Sequence, residues 1–175
     1  DPHLHRYHAL DEIYRIPTRV VHTAPLIASW VAATVQRPLL IGPDSESEQW
    51  VSEVAAGAGA PWTVLRKIRR GDRDVQVSLP DVSAWRDRQP VLVDDIVSSA
   101  RTMIQAVASV RSVGLPAPLC IGVHALFAPG AYEELLASKP NRVLSCDTVP
   151  HASNEISVVE PMARALLELM EGTTS

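Results

Sequence analysis

The chain has 175 residues, of which 46% are hydrophobic and 21% charged, and its formal net charge at pH 7 is −4. This profile is typical of one globular domain with a substantial core, and the charge gives no argument for binding nucleic acid or a membrane surface. No apolar run approaches the roughly 18 residues of a membrane span, and the first residues do not resemble a signal peptide. Cys120 and Cys146 lack a CxxC spacing and indicate reduced core thiols in a cytoplasmic protein, with a disulfide as the alternative.

Strand-like and helix-like segments alternate along the whole chain. The pattern predicts strands near residues 19–21, 38–42, 62–66, 91–95, 119–123 and 143–147, and helices near residues 25–35, 46–58, 102–113, 131–138 and 161–170. In the last helix, four apolar residues fall on one face: Ala163, Leu166, Leu167 and Met170. This alternation predicts an α/β fold, a mostly parallel sheet with helices on both faces, in a single domain over residues 1–175.

A basic cluster lies between two strand-like segments. Five of the eight residues from 66 to 73 are cationic, and Val75, Val77 and Leu79 then alternate as in a half-buried strand. We therefore expect a hairpin-like excursion with a flexible loop at about residues 66–74. A solvated charge run is the common explanation of such a cluster, and a nucleic-acid patch is a second one.

Residues 91–103, VLVDDIVSSARTM, are the segment around which the other elements can be arranged. A short apolar strand ends in Asp94 and Asp95, and a polar loop then leads into a helix that stops near Gly114. A loop between a strand and a helix N-terminus is a common anion site, because its amides and the helix dipole favour negative charge. The paired carboxylates suit sugar hydroxyls or a hydrated Mg²⁺. Together these features predict a ribose 5-phosphate site.

This segment resembles the phosphoribosyl-binding loop of type I phosphoribosyltransferases and of ribose-phosphate pyrophosphokinases, which make phosphoribosyl pyrophosphate (PRPP). The family pattern has hydrophobic residues, two acidic residues and a turn rich in Ser, Thr and Gly. Ala100 and Arg101 depart from it, since they stand where glycine is often seen. The Arg101 side chain either helps to hold the phosphate or crowds the loop.

Further motifs resemble the pyrophosphokinases in the same order along the chain. They are Asp1-Pro2-His3 followed by Ile16-Pro17, then Pro43-Asp44, Lys67-x-Arg69 with GDRDV after it, His124-Ala125-Leu126-Phe127 and Thr148-Val149-Pro150. Pro2 replaces the common Leu, and Ser45-Glu46-Ser47 follows Asp44 where the family usually has a nearby Gly. The resemblance covers nearly the whole chain and implies the type I phosphoribosyltransferase fold.

The resemblance also implies roles for these residues. The 5-phosphate would be held by Ser98, Ser99, Ala100, Arg101 and Thr102, and the ribose hydroxyls by Asp94 and Asp95. Lys67 and Arg69 would stabilise the transferring group, while His3 and Asp44 would act on the Mg²⁺–triphosphate side. A helix N-cap is the competing explanation for Asp44. His124 either reaches the site or is a hydrogen-bonded core histidine.

The expected activity is the Mg²⁺-dependent transfer of the diphosphoryl group of ATP to ribose 5-phosphate, giving PRPP and AMP. Family members are about twice as long, so we expect this chain to be the C-terminal half, with an amino-terminal half of the same fold missing and weak activity alone. The resemblance further implies a homo-oligomer. Two alternatives stay open: a phosphoribosyltransferase that uses PRPP, and a catalytically weak regulatory homologue.

Overall fold

A parallel sheet forms the centre of the molecule. In this computed structural model the structure describes residues 2, 4, 7, 9–70 and 74–172, and the side chains of these residues except 67–70, 74–78 and 172. The strands are β1 (Pro38–Gly42), β2 (Trp62–Val64), β3 (Arg66–Arg70), β4 (Asp74–Ser78), β5 (Gln89–Val97), β6 (Leu119–Ala125), β7 (Arg142–Cys146) and β8 (Asn154–Ile156). Six of them pair in the order β2-β1-β5-β6-β7-β8, all parallel, while β3 and β4 form a separate antiparallel hairpin.

Helices cover both faces of this sheet. They are α1 (Ala24–Thr34), α2 (Glu48–Ala58), α3 (Arg101–Ser112), α4 (Ala131–Ala137) and α5 (Val159–Gly172). One core cluster joins α1 and α2 to Leu40 of β1, and the other joins α3 and α4 to Leu39 and Ile41 of the same strand. Strands buried on both faces need continuous apolar runs, which explains why β1 reads PLLIG rather than alternating. The predicted fold class is confirmed.

Three predicted elements differ from the structure. Residues 19–21 do not form a strand; this extended segment leads directly into α1, which has Pro25 in its first turn. The single strand expected at residues 62–66 is divided, because the chain leaves the sheet after Val64 to begin the hairpin at Arg66. The strand that holds the acidic pair is Gln89–Val97, two residues longer at each end than the predicted 91–95.

The last helix is present as predicted, but its apolar face is not buried. Leu166, Leu167 and Met170 share a face as predicted, but each is about 60% exposed. Periodicity locates an apolar face without specifying what that face contacts.

Both cysteines are buried free thiols, as predicted. Burial raises the pKa of the Cys120 thiol far above its ordinary value and that of Cys146 to about 12. Neither thiol is therefore a thiolate nucleophile near neutral pH. Among the described helices, none has both the length and the apolar character that crossing a membrane would require.

Candidate functional site

The two acidic residues of the central segment lie inside β5, close to its carboxyl end. Asp94 is paired in register with Gly122 of β6, and both carboxylates are half-buried. The Asp95 amide donates to Asp94 Oδ1 over 3.1 Å, and the Ile96 amide donates to Asp95 Oδ1 over 2.7 Å. Each carboxylate is thus oriented by the amide of the following residue. The pair therefore lies near the carboxyl ends of the parallel strands, where open α/β proteins bind ligands.

Asp44 follows the neighbouring strand β1 and shapes the turn that leads into α2. Its Oδ1 accepts hydrogen bonds from the amides of Glu46 and Ser47, at 3.0 and 3.3 Å. The Ser47 hydroxyl donates back to the Asp44 carbonyl over 2.7 Å. These are the bonds of a side-chain turn before the helix; Asp44 is not the N-cap of α2, because that position is Ser47, which makes no side-chain capping bond.

A cavity of about 330 Å³ nevertheless joins Asp44 to the acidic pair. Its lining residues are Pro2, Asp44, Glu46, Ser47, Trp50, Asp94 and Asp95. The carboxyl ends of β1 and β5 are adjacent because the two strands pair in parallel. The turn bonds of Asp44 and a ligand-facing role for it are therefore compatible, since the turn uses one oxygen of the carboxylate.

A second cavity, of about 380 Å³, shares two residues with the first. Asp44 and Glu46 line both, and the second cavity extends to Arg66 at the start of the β3–β4 hairpin. The larger open cleft beside the carboxyl end of α3, about 580 Å³, lies at the opposite end of that helix from the polar loop. We therefore locate the site at the two smaller, acidic cavities.

The polar loop begins directly after β5. Ser98, Ser99 and Thr102 are exposed, and Ala100 is 5% exposed with φ 57°, a left-handed conformation that favours glycine. The Ile104 amide donates to the Ala100 carbonyl over 2.8 Å, so α3 starts at Arg101, whose side chain points into solvent. The first amides of α3 have no acceptor inside the helix, which makes this end suited to an anion.

Several predicted site residues are only partly described. His3 lies outside the described residues, although its neighbour Pro2 lines the 330 Å³ cavity. Lys67 and Arg69 lie on β3 by their backbone, and their side chains are outside the described part. The hairpin expected around residues 66–74 is present, with Lys67 opposite Val77 and Arg69 opposite Val75.

His124 is hydrogen-bonded within the fold, which is the second of the two alternatives that the sequence left open. Its Nδ1 lies 2.9 Å from Thr148 Oγ1, and that hydroxyl donates to the Val123 carbonyl over 3.0 Å. Since the hydroxyl proton is used by Val123, the threonine oxygen accepts from the imidazole, and Nδ1 carries the proton. The ring therefore ties the ends of β6 and β7 together.

Four residues that line the 330 Å³ cavity were not anticipated as site residues: Pro2, Glu46, Ser47 and Trp50. The first three entered the sequence analysis only as departures from the family pattern. The buried Trp50 Nε1–H makes no hydrogen bond with the described part of the chain. The sequence offered no signal for Trp50, because six residues after Asp44 is about 1.7 helical turns and does not place the two on one face.

The carboxylates of the 330 Å³ cavity fit a magnesium ion that takes one or two ligands from the protein. Carboxylate oxygens line the cavity, and Mg²⁺ usually takes one or two protein carboxylates while keeping waters and substrate phosphates. Within the described residues, no group of three His, Cys, Asp or Glu side chains is preassembled to hold a metal. Asp44 would therefore supply one ligand, with waters and a phosphorylated substrate completing the shell of the ion.

Comparisons with known proteins address the family and the fold of the chain. The model of the phosphoribosyl transferase domain matches residues 9–162. The ribose-phosphate pyrophosphokinase of Sulfurisphaera tokodaii is 28% identical over 145 residues, which are 81% of this chain and 49% of that protein. The corresponding protein of Methanopyrus kandleri is 28% identical over 89% of this chain and 54% of its own length. The chain thus spans about half the length of the curated relatives it matches.

Solved structures show the same fold. Phosphoribosylpyrophosphate synthetase from Mycobacterium smegmatis superposes with a TM-score of 0.70 at 18% identity, over 86% of this chain and 51% of that chain. An adenine phosphoribosyltransferase gives a TM-score of 0.55 at 12% identity, over 70% of this chain and 76% of its own. At these identities the superpositions establish the fold and leave the reaction open.

Proposed function

This chain belongs to the phosphoribosyl transferase domain family, and from that premise we propose that it supplies the ribose 5-phosphate half of a ribose-phosphate pyrophosphokinase. The observation that carries the proposal is the 330 Å³ cavity, in which Asp44 meets Asp94 and Asp95 beside the loop that opens α3. The similarity to curated pyrophosphokinases along most of the chain supports the same reaction class.

Each part of the site would do one task in this reaction. The carboxylates of Asp94 and Asp95 would accept hydrogen bonds from the ribose hydroxyls, which fixes the sugar. Residues 98–102 and the first amides of α3 would receive the 5-phosphate through hydroxyls, backbone donors and the helix dipole. The reactive hydroxyl would then be held in one orientation, and this positioning lowers the barrier without a covalent intermediate.

The second cavity would take the diphosphoryl donor. It extends from Asp44 to Arg66, where the basic hairpin begins. Phosphoryl transfer spreads negative charge over the transferring group, and Lys67 and Arg69 would stabilise that charge. Mg²⁺, held near Asp44 and His3, would supply further charge neutralisation on the donor.

Binding of ribose 5-phosphate tests the acidic pair directly. We expect the double variant Asp94→Asn and Asp95→Asn to bind ribose 5-phosphate about 10- to 100-fold more weakly, because hydrogen bonds to charged groups contribute about 1.5–3 kcal/mol. The side-chain oxygen of asparagine can still accept the hydrogen bond from the following backbone amide, so the local backbone conformation should not change. Isothermal titration calorimetry of both proteins gives the two affinities.

The adjacent carboxylates Glu133 and Glu134, exposed on α4, provide a matched control. Their conversion to Gln should leave the affinity unchanged. Equal affinity of the Asp94/Asp95 variant and the wild type would reject the site. If ribose 5-phosphate binds but no AMP forms from ATP, release of pyrophosphate from PRPP by an added base would indicate a phosphoribosyltransferase instead.

A further inference from the structure

Three aromatic rings, here called the ring cluster, are in mutual contact beyond the carboxyl ends of β6 and β7. The rings of Phe127 and Tyr132 meet edge to face with their centroids 5.1 Å apart. The imidazole of His151 lies 4.8 Å from the Phe127 ring and 4.7 Å from the Tyr132 ring. All three side chains are half-buried. Such ring pairs have preferred geometries, so each ring restricts the orientation of the other two.

The imidazole of His151 is itself held by buried polar groups. The Ser153 amide donates to His151 Nδ1 over 3.1 Å, so this nitrogen carries no proton, and the Ser153 hydroxyl, 2.7 Å away, donates to it as well. The Ser153 oxygen in turn accepts from the Ser145 hydroxyl over 2.8 Å, and the Ser145 oxygen accepts from the Asn154 side-chain amide over 2.9 Å. Ser145 is 2% exposed and Ser153 is 5% exposed, so water does not compete for these bonds.

The ring cluster is joined to the polar loop after β5 through Phe127. The next residue, Ala128, donates its backbone amide to the Ser98 carbonyl over 3.1 Å. Phe127 also packs against the core cluster that contains Val97 and Ala100. These two residues flank the start of the loop, which therefore rests on the segment that the ring cluster holds.

The bond between Ser98 and Ala128 also sets the direction of a second group. The described backbone contains no cis peptide bond, and in a planar trans peptide the C=O and the following N–H point in opposite directions. Fixing the Ser98 carbonyl therefore fixes the Ser99 N–H. This N–H is one of the backbone donors that the proposed function assigns to the 5-phosphate, and small displacements of such donors weaken binding.

We propose that His151 is a positioning residue for the 5-phosphate. Its ring keeps Phe127 in place, and Ala128 then holds the loop so that the Ser99 amide is directed at the phosphate. His151 acts through these neighbours. The inference rests on the proposed function, because it assumes that the loop binds the 5-phosphate.

Two substitutions separate the ring of His151 from its hydrogen-bond acceptor. His151→Asn keeps an oxygen that can accept from Ser153 but removes the ring, and we expect it to bind ribose 5-phosphate about 2- to 30-fold more weakly, the range for residues that act through a chain of contacts. His151→Phe keeps a ring against Phe127 and Tyr132 and should bind like the wild type. It leaves the Ser153 hydroxyl and amide without an acceptor, so it should have the lower melting temperature of the two. Calorimetric titration and thermal unfolding measure both properties.

A ligand-free measurement checks the same coupling. In nitrogen-15 NMR spectra of the unliganded proteins, the Ser99 amide resonance should shift in His151→Asn and stay near its wild-type position in His151→Phe. If His151→Asn does not fold, Ser153→Ala takes its place. It removes the hydroxyl that bonds to the imidazole, and we expect it to move the resonance and weaken binding at least about twofold.

The outcomes distinguish this inference from the proposed function. A wild type that does not bind ribose 5-phosphate rejects the proposed function and the inference together. A wild type that binds, with His151→Asn binding equally well, rejects the inference alone. So does a loss of affinity in His151→Phe that matches the loss in His151→Asn, because binding would then depend on the hydrogen bonds of His151 and not on its ring.

Discussion

Arg101 is expected to have opposite effects on the stability of the unliganded protein and on phosphate binding. It occupies the first position of α3, where a cation faces the positive end of the helix dipole and lowers helix stability. A bound phosphate would reverse the sign of that effect, because the guanidinium would then lie next to a dianion. The side chain is exposed at the mouth of the loop, which favours a role in holding phosphate over one in crowding it.

We therefore expect Arg101→Ala to raise the stability of the unliganded protein by about 0.3–1 kcal/mol and to weaken ribose 5-phosphate binding by about tenfold. Thermal unfolding and calorimetric titration measure the two effects. Arg111→Ala, in the last turn of the same helix, is the control: it should lose a little stability and leave binding unchanged. Unchanged binding in Arg101→Ala would mean that this arginine does not contact the phosphate.

At the level of elements, the site depends on how closely β5 and β6 approach. Gly122 is paired with Asp94, and a Cβ at Gly122 would lie 2.7 Å from Val97 Cγ2. Val97 is the last residue of β5 and is followed at once by the polar loop. The position of the loop therefore depends on a residue of the next strand that has no side chain.

For this reason we expect Gly122→Ala to destabilise the protein by about 1–3 kcal/mol through overpacking, and to weaken ribose 5-phosphate binding by displacing the loop. The substitution Val97→Ala removes the atoms that would clash, so the double variant should be more stable than the sum of the single effects predicts. Urea unfolding of the four proteins gives the coupling free energy. Purely additive effects on the free energy of unfolding would show that a Cβ at residue 122 does not clash with the Val97 side chain.

At the scale of the molecule, one domain holds both acidic cavities. They open at the carboxyl ends of the sheet strands, while the apolar face of α5 is exposed within the described part of the chain. The relatives have about as much polypeptide again as the part that matches.

We accordingly expect the 175-residue chain, tested alone, to bind ribose 5-phosphate and to form AMP from ATP far more slowly than the longest polypeptide of its gene. The physical reason is that this chain would supply only one wall of the donor site. Coupled detection of AMP in the presence of Mg²⁺ measures both rates, and the Asp94/Asp95 variant serves as the blank. Equal rates would show that one domain is sufficient.

The sequence by itself determined the kinds and order of most elements and the chemistry of the central loop. Periodicity and turn residues act locally, so the strand at residues 91–95 and the helix after it could be predicted from neighbours in the chain. The basic hairpin was predictable for the same reason, since its two strands are adjacent in sequence.

Only the tertiary structure decided which distant residues meet and which faces are buried. Asp44 reaches the acidic pair because β1 and β5 are adjacent, although 50 residues separate Asp44 from Asp94. Residues 19–21 have strand-like side chains but do not form a strand, and the apolar face of α5 is exposed within the described part of the chain. Burial depends on contacts between elements far apart in sequence, and a local pattern contains no information about those contacts.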